Sequence, residues 1–373
     1  MLASIRSATV VGVEGRPVVV EVHVSLGLPT FSVVGLPDEA CREARDRARA
    51  AVLSSGLEWP NRRITVNLAP SGIRKAGSGL DLAIAIGVLV ASDQVPAEAV
   101  DGLGFIAELG LDGRLRSVPG VAPMVYAIGD TDHVVVAPES FREANGVAAG
   151  ARVAGWLAEV VAALRGLEPW PVAGTDRPDA EHAEFAIPDL SAVRGQPAGR
   201  LGLEIAAAGA HHLLFVGPPG AGKTMLAERL PALLPALTHD EMLEATMVHS
   251  AAGVRLPAGG LIERPPFRAP HHSSTLVSLV GGGGTTLRPG EASLATCGVL
   301  FLDELGEFAP AALDALRQPL EEGVVRVARA RASATLPARF LLVAATNPCP
   351  CGGGAPGECQ CDDAARMRYL RRL

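Results

Sequence analysis

The chain has 373 residues, 48% hydrophobic and 20% charged, and its 33 basic side chains face 40 acidic ones for a net charge of −7. Such a length predicts two domains with cores of their own, and such a composition excludes a disordered chain. No apolar run of 18 or more residues occurs and the N-terminus lacks a basic stretch followed by an apolar core, so neither membrane span nor secretion is expected and the protein reads as cytoplasmic.

Residues 1–165 come first and alternate short apolar runs with helix-like segments. ATVVGV and PVVVEVHVS read as strands separated by a turn at Glu14-Gly15-Arg16-Pro17. A helix is expected from Pro37 to Ser54, with Pro37-Asp38 as its start signal. RRITVNLAP reads as a strand and Leu80 to Ala91 as an apolar helix; Gly113 and Pro119 bracket a short strand, and HVVVAP is the last clear one. The mixture predicts an α/β domain without a dinucleotide GxGxxG signature. Residues 166–190, rich in Pro, acids and small residues, read as a linker, and a second α/β pattern fills 191–373.

Charge is divided unevenly, with 17 basic and 24 acidic side chains over 1–199 and 16 of each over 200–373. A global basic field is therefore absent, and a nucleic-acid contact would need local basic loops. Only two basic residues are lysines, Lys75 and Lys223. Both are candidates for sites that want a compact ammonium rather than a planar fork.

The second domain opens with the most specific signal. The apolar strand Leu213–Val216 runs into Gly217-Pro218-Pro219-Gly220-Ala221-Gly222-Lys223-Thr224 and then a helix, the phosphate-loop pattern in its strand–loop–helix context. Backbone N–H groups wrap phosphates there, Lys223 is placed to reach the outer ones, and the Thr224 hydroxyl suits Mg²⁺. Further on, a buried-looking strand ends at Asp303-Glu304. Asp303 is expected in the Mg²⁺ shell and Glu304 as the group that polarises a water. A third strand, Phe340–Ala345, ends at Thr346-Asn347-Pro348, where Asn347 is able to hold the water or the γ-phosphate. All three lie where open parallel sheets bind ligands.

Two segments flank these strands. Residues 281–296, rich in Gly and Pro, are expected as a projecting hairpin before the acidic strand. Residues 322–339 alternate apolar and Arg positions, a hairpin pattern that gathers Arg326, Arg329 and Arg331 for phosphate contacts, or else a solvated hairpin with no ligand. Cys41 and Cys297 stand alone, whereas Cys349, Cys351, Cys359 and Cys361 cluster. A tetrahedral Zn²⁺ site and reduced free thiols both suit this pattern, although one intervening residue makes a tighter bite than the usual C-x₂₋₄-C. His271 and His272 read as helix-cap or subunit-contact residues, with a role as further metal ligands as the alternative.

Together these motifs resemble the AAA+ ATPases, with Lys223-Thr224 as Walker A, Asp303-Glu304 as Walker B and Asn347 as sensor 1. FRAPHHS (267–273), VGGG (280–283), RPGEASL (288–294), LRQPLE (316–321) and NPCPCG (347–352) resemble the magnesium-chelatase-like branch, and within it the YifB/ComM family. The resemblance spans nearly the whole chain. It implies an AAA+ P-loop NTPase αβα core over 191–373, catalytic roles for Glu304, Asn347 and Lys223, ATP and Mg²⁺ as ligands, and a homohexameric ring. By the same resemblance the ring would drive DNA branch migration in natural transformation; a chelatase-type motor that remodels a protein partner is the alternative. The family usually continues into a helical lid and a segment bearing a charge-stabilising Arg. The lid is therefore expected to be missing or truncated here, with nucleotide binding retained and weak turnover.

The N-terminal domain, 1–165, resembles the ribosomal-S5-domain-2-like, Lon-like (ChlI-type) α+β fold through the loop Ala69–Gly79. Gly77 falls at the nucleophilic Ser position of the proteases, Ser78 one place away, and Ala122 at the Lys position, so proteolysis is not expected. Arg74 and Lys75 at this loop suit an anion such as DNA phosphate, or a purely structural role.

Overall fold

The computed structural model describes residues 1–129, 133–148, 150–172, 188–283, 287–329, 332–353 and 359–370. Two compact units result: Met1–His182 with His249–Leu261, and Ala183–Val248 with Ile262–Leu373. Segment His249–Leu261, expected within the second domain, belongs by its contacts to the first. There Ser250 Oγ donates to Glu143, whose carboxylate also accepts from the Ala122 amide at 2.7 Å.

Strands of the first unit are β1 (Leu2–Val11), β2 (Glu14–Ser25), β3 (Thr30–Val34), β4 (Arg63–Ala69), β5 (Leu103–Ile106), β6 (Glu108–Leu109), β7 (Leu115–Arg116), β8 (His133–Val136) and β9 (Arg152–Val153). Seven of them form a mixed sheet in the order β3-β4-β2-β1-β5-β8-β9, while β6 and β7 pair separately. The turn between β1 and β2 is at Gly12-Val13, not at residues 14–17, which already pair with β1. Pro17 is tolerated there because β2 meets β4 only from Val19 onward, so its missing N–H costs no ladder bond on that side. The short strand β9 carries no period long enough to be read from sequence.

The core of this unit is the helix Asp81–Ala91, buried at every residue between the sheet and the helix Glu39–Ser54. Its sequence is apolar on all sides, as burial all round requires. Asp38 caps the Glu39–Ser54 helix by accepting from the Cys41 amide at 2.8 Å. A charged group enters this core: Asp81, fully buried, receives two bonds from Arg47 at 2.6 and 3.0 Å.

In the second unit, β10 (Leu213–Val216), β11 (Phe267–Arg268), β12 (Val299–Leu302) and β15 (Leu341–Thr346) form an all-parallel sheet in the order β10-β15-β12-β11, and β13 (Val324–Arg329) pairs antiparallel with β14 (Ala332–Pro337). This is the mixed α/β arrangement of a P-loop NTPase-like core. Phe301 and Val343 are buried on its central strands with Leu203, Leu226 and Leu230 against them. Residues 281–296 differ from expectation. Their described part makes a single bridge, Gly282 to Arg288, then the short helix Glu291–Leu294 with Ala292, Ser293 and Leu294 buried. Burial of the apolar Ala292 and Leu294 side chains draws the segment inward.

Candidate nucleotide and metal site

Four parallel strands running the same way deliver their C-terminal ends to one edge, and each end carries a group of interest. The loop after β10 begins at Gly217, whose amide donates to the Thr346 carbonyl at 3.3 Å, so the loop is tied to the end of β15. Gly220 and Gly222 both take positive φ, 76° and 81°, a conformation that side chains disfavour. Ala221 closes a turn onto the Pro218 carbonyl, and its own carbonyl accepts from Gln196 at 3.0 Å. The helix Lys223–Ala227 follows directly.

Lys223 Nζ donates to the carbonyls of Gly217 at 2.7 Å and Pro218 at 3.1 Å and to Asn347 Oδ1 at 3.0 Å. An ammonium has three protons, and all three have oxygen partners. Thr224 Oγ1 donates to Asp303 Oδ2 at 2.7 Å, joining the first turn of the helix to the end of β12. Asp303 Oδ1 accepts from the Glu304 amide at 2.9 Å. Glu304 itself adopts the left-handed region with φ 53°, which turns it away from the strand direction.

The Glu304 carboxylate lies 3.2 Å from Nδ1 of His272. His272 thus lies beside Glu304 at the strand ends, a contact its reading as a cap or subunit-contact residue did not anticipate. The next helix is capped by Thr275, which accepts from the Ser278 amide. Sequence reasoning missed this because β11, four residues earlier, is only two residues long and shows no periodicity. With β11 recognised as a strand, the strand-end rule would have found His272 as it found Asp303 and Asn347.

The end of β15 is braced from its other side. Thr346 Oγ1 and the Tyr369 hydroxyl are 2.9 Å apart, and Tyr369 comes from the helix Asp363–Leu370. Cys349, Cys351, Cys359 and Cys361 converge just beyond Asn347, their sulfurs all within 4.8 Å of one another.

Remaining candidates fall elsewhere. In the β13–β14 hairpin, Val325, Val327 and Leu336 are buried, while Arg326 is exposed and pairs with Glu322. The side chain of Arg329 and all of Arg331 lie outside the described residues. In the first unit Arg74 is half-buried, but Lys75 is wholly buried, its ammonium donating to the Pro70 carbonyl. Its backbone is zipped to Leu36 and Asp38. Burial pushes the Lys75 ammonium pKa down. Of the pair expected to meet an anion, only Arg74 reaches the surface. Ser78 donates to Glu108.

Among the described residues no helix is long and apolar enough to cross a membrane. Residues 189–373 match the family described as magnesium chelatase, subunit ChlI, and residues 20–140 match subunit ChlI of Mg-chelatase. The protein YifB of Escherichia coli is 44% identical, over 100% of this chain and 73% of its own length. The competence protein ComM of Haemophilus influenzae is 46% identical, over 100% of this chain and 74% of its own length. A protein of Mycobacterium tuberculosis is 46% identical, over 98% of this chain and 73% of its own length.

Proposed function

The chain belongs to the YifB/ComM family of magnesium chelatase ChlI-like proteins, and from this premise we propose that it is an AAA+ ATPase that assembles as a homohexameric ring and couples ATP hydrolysis to remodelling of DNA. The observation that carries the reading is the convergence of Lys223, Thr224, Asp303 and Asn347 at three neighbouring strand ends. The donor set fits its ligands. A hydroxyl and a carboxylate oxygen 2.7 Å apart are hard ligands of the kind Mg²⁺ takes, and the Lys223 ammonium stands against the loop, within reach of its Gly217 and Pro218 carbonyls.

When bound, Mg²⁺ and ATP supply the transferable phosphoryl group and neutralise its charge. The protein's part is positioning and charge stabilisation. Lys223, which now donates to the Gly217 and Pro218 carbonyls, would turn to phosphate oxygens, and Thr224 and Asp303 would hold the cation. Asn347 spends its Oδ1 on Lys223 and keeps its Nδ2 hydrogens for an incoming oxygen. Glu304 takes a proton from the attacking water, and His272 sets the direction of its carboxylate.

DNA as the substrate draws support from the name of one relative, a competence protein, and from Arg326 on the exposed face of the hairpin. Guanidinium groups on such a hairpin suit a phosphate backbone. The test is the ATPase rate of the purified protein with and without forked DNA. Stimulation is the expected result. Turnover indifferent to DNA would favour the chelatase-type motor that acts on a protein partner.

A further inference from the structure

We propose that Cys349, Cys351, Cys359 and Cys361 bind a single Zn²⁺ ion, which fastens the segment after β15 beside the phosphate loop. The sulfurs of Cys349 and Cys351 are 3.4 Å apart, those of Cys351 and Cys359 3.7 Å, and those of Cys359 and Cys349 3.5 Å. With metal–sulfur bonds of about 2.3 Å, the edge of a ZnS₄ tetrahedron is roughly 3.8 Å. A disulfide would bring two sulfurs to about 2.05 Å. The observed spacings therefore match the edges of a one-ion tetrahedron and exceed any S–S bond; all four cysteines are free. The one-residue spacing of Cys349 and Cys351 is no obstacle, since their sulfurs already stand near the required edge.

Thiolates are soft ligands, and four in a tetrahedron select zinc over magnesium. Four of them around a dication leave net negative charge, and the surroundings offset it. The Cys361 amide donates to Cys359 at 3.4 Å, and the cationic Arg366 acts on the same sulfur from the helix that follows. Such bonds orient the ligands and lower the cost of deprotonating them.

Position gives the ion its role. Cys349 is buried two residues after Asn347. Gly352, with φ 81°, runs so close to the phosphate loop that a Cβ there would sit 2.7 Å from Pro219 Cδ. Cys361 leads into the helix that returns Tyr369 to Thr346, with the Tyr369 ring against Gly306. The ion would thus tie the exit of β15 to this helix, holding Asn347 in register with Lys223. This fastening rests on the nucleotide reading; the metal site itself does not.

Zinc content is measured by mass spectrometry on the chain purified under reducing conditions and desalted after brief exposure to chelator. One zinc per chain is expected, together with thiolate-to-metal charge-transfer bands when Co²⁺ replaces it. Cys351→Ser and the double variant Cys351→Ser/Cys361→Ser should lose the ion and the bands. Protein that holds no zinc, cannot be reconstituted with it, and shows four freely titratable thiols overturns the proposal, as does iron in its place. These readings on the parent chain stand even if the variants fail to fold. A chain that keeps zinc but binds no ATP refutes the nucleotide reading and leaves the metal site intact.

Discussion

Lys223 Nζ and Asn347 Oδ1 meet at 3.0 Å across 124 positions of sequence. The contact exists because β10 and β15 are adjacent and parallel, so the loop after one and the residue after the other must emerge side by side. One amide thereby senses what the ammonium holds. Asn347→Ala should leave ATP affinity within a few fold and slow single-turnover hydrolysis by about 10²-fold, the scale for loss of one preorganised hydrogen-bond donor. An unchanged hydrolysis rate would remove Asn347 from the reaction.

Glu304 and His272 form the second pair to be tested. Glu304→Gln should retain nucleotide and lose turnover by roughly 10²–10⁴-fold, the range for a general base. His272→Ala frees the carboxylate, so turnover should change while ATP affinity does not, and His272→Asn should recover part of the parental rate by restoring a donor. If His272→Ala hydrolyses ATP at the parental rate, the 3.2 Å contact has no part in directing Glu304.

Much of this site was legible in the sequence because each element there is local. A phosphate loop is a contiguous string, and a strand ending in Asp303-Glu304 or Thr346-Asn347 announces itself by an apolar run that stops at polar residues. What escaped needs three dimensions. His272 follows a two-residue strand, and Lys75 sits in a glycine-rich loop whose sequence gives no sign that its backbone zips onto residues 36–38 and draws the ammonium inside. Pro17, read as part of a turn, lies in a strand beyond the point where β2 pairs with β4, so no ladder bond to β4 is lost there. The return of His249–Leu261 to the first unit is a tertiary fact with no local mark.

The Arg47–Asp81 pair carries a stability prediction. Burial raises the Asp81 pKa from 3.8 to about 6, against the lowering effect of Arg47. Since the folded pKa exceeds the unfolded one, this group's contribution to stability is present below about pH 4 and lost as pH rises through about 6. Arg47→Met leaves the carboxylate buried and unpaired, a cost of about 3–5 kcal/mol at pH 8. At pH 5, where the carboxyl is mostly neutral, the deficit in denaturant midpoint should shrink. An equal deficit at both values would mean that charge is not its cause.

The arginine hairpin is tested by the combined change Arg326→Ala, Arg329→Ala and Arg331→Ala. Binding to duplex DNA should weaken by at least about tenfold at moderate salt, and the slope of log affinity against log salt should fall by about 0.9 for every phosphate that the hairpin no longer neutralises. ATP affinity should stay at the parental value. An unchanged slope would move the DNA-binding role to another surface.

All of the chemistry depends on one ammonium reaching a phosphate from the loop after β10. Calorimetric titration of ATP into Lys223→Ala in the presence of Mg²⁺ tests it most directly. Charged hydrogen bonds of this kind are worth about 1.5–3 kcal/mol, so affinity should drop roughly 10–100-fold. Binding as tight as the parent's would contradict the assignment of a nucleotide to this site.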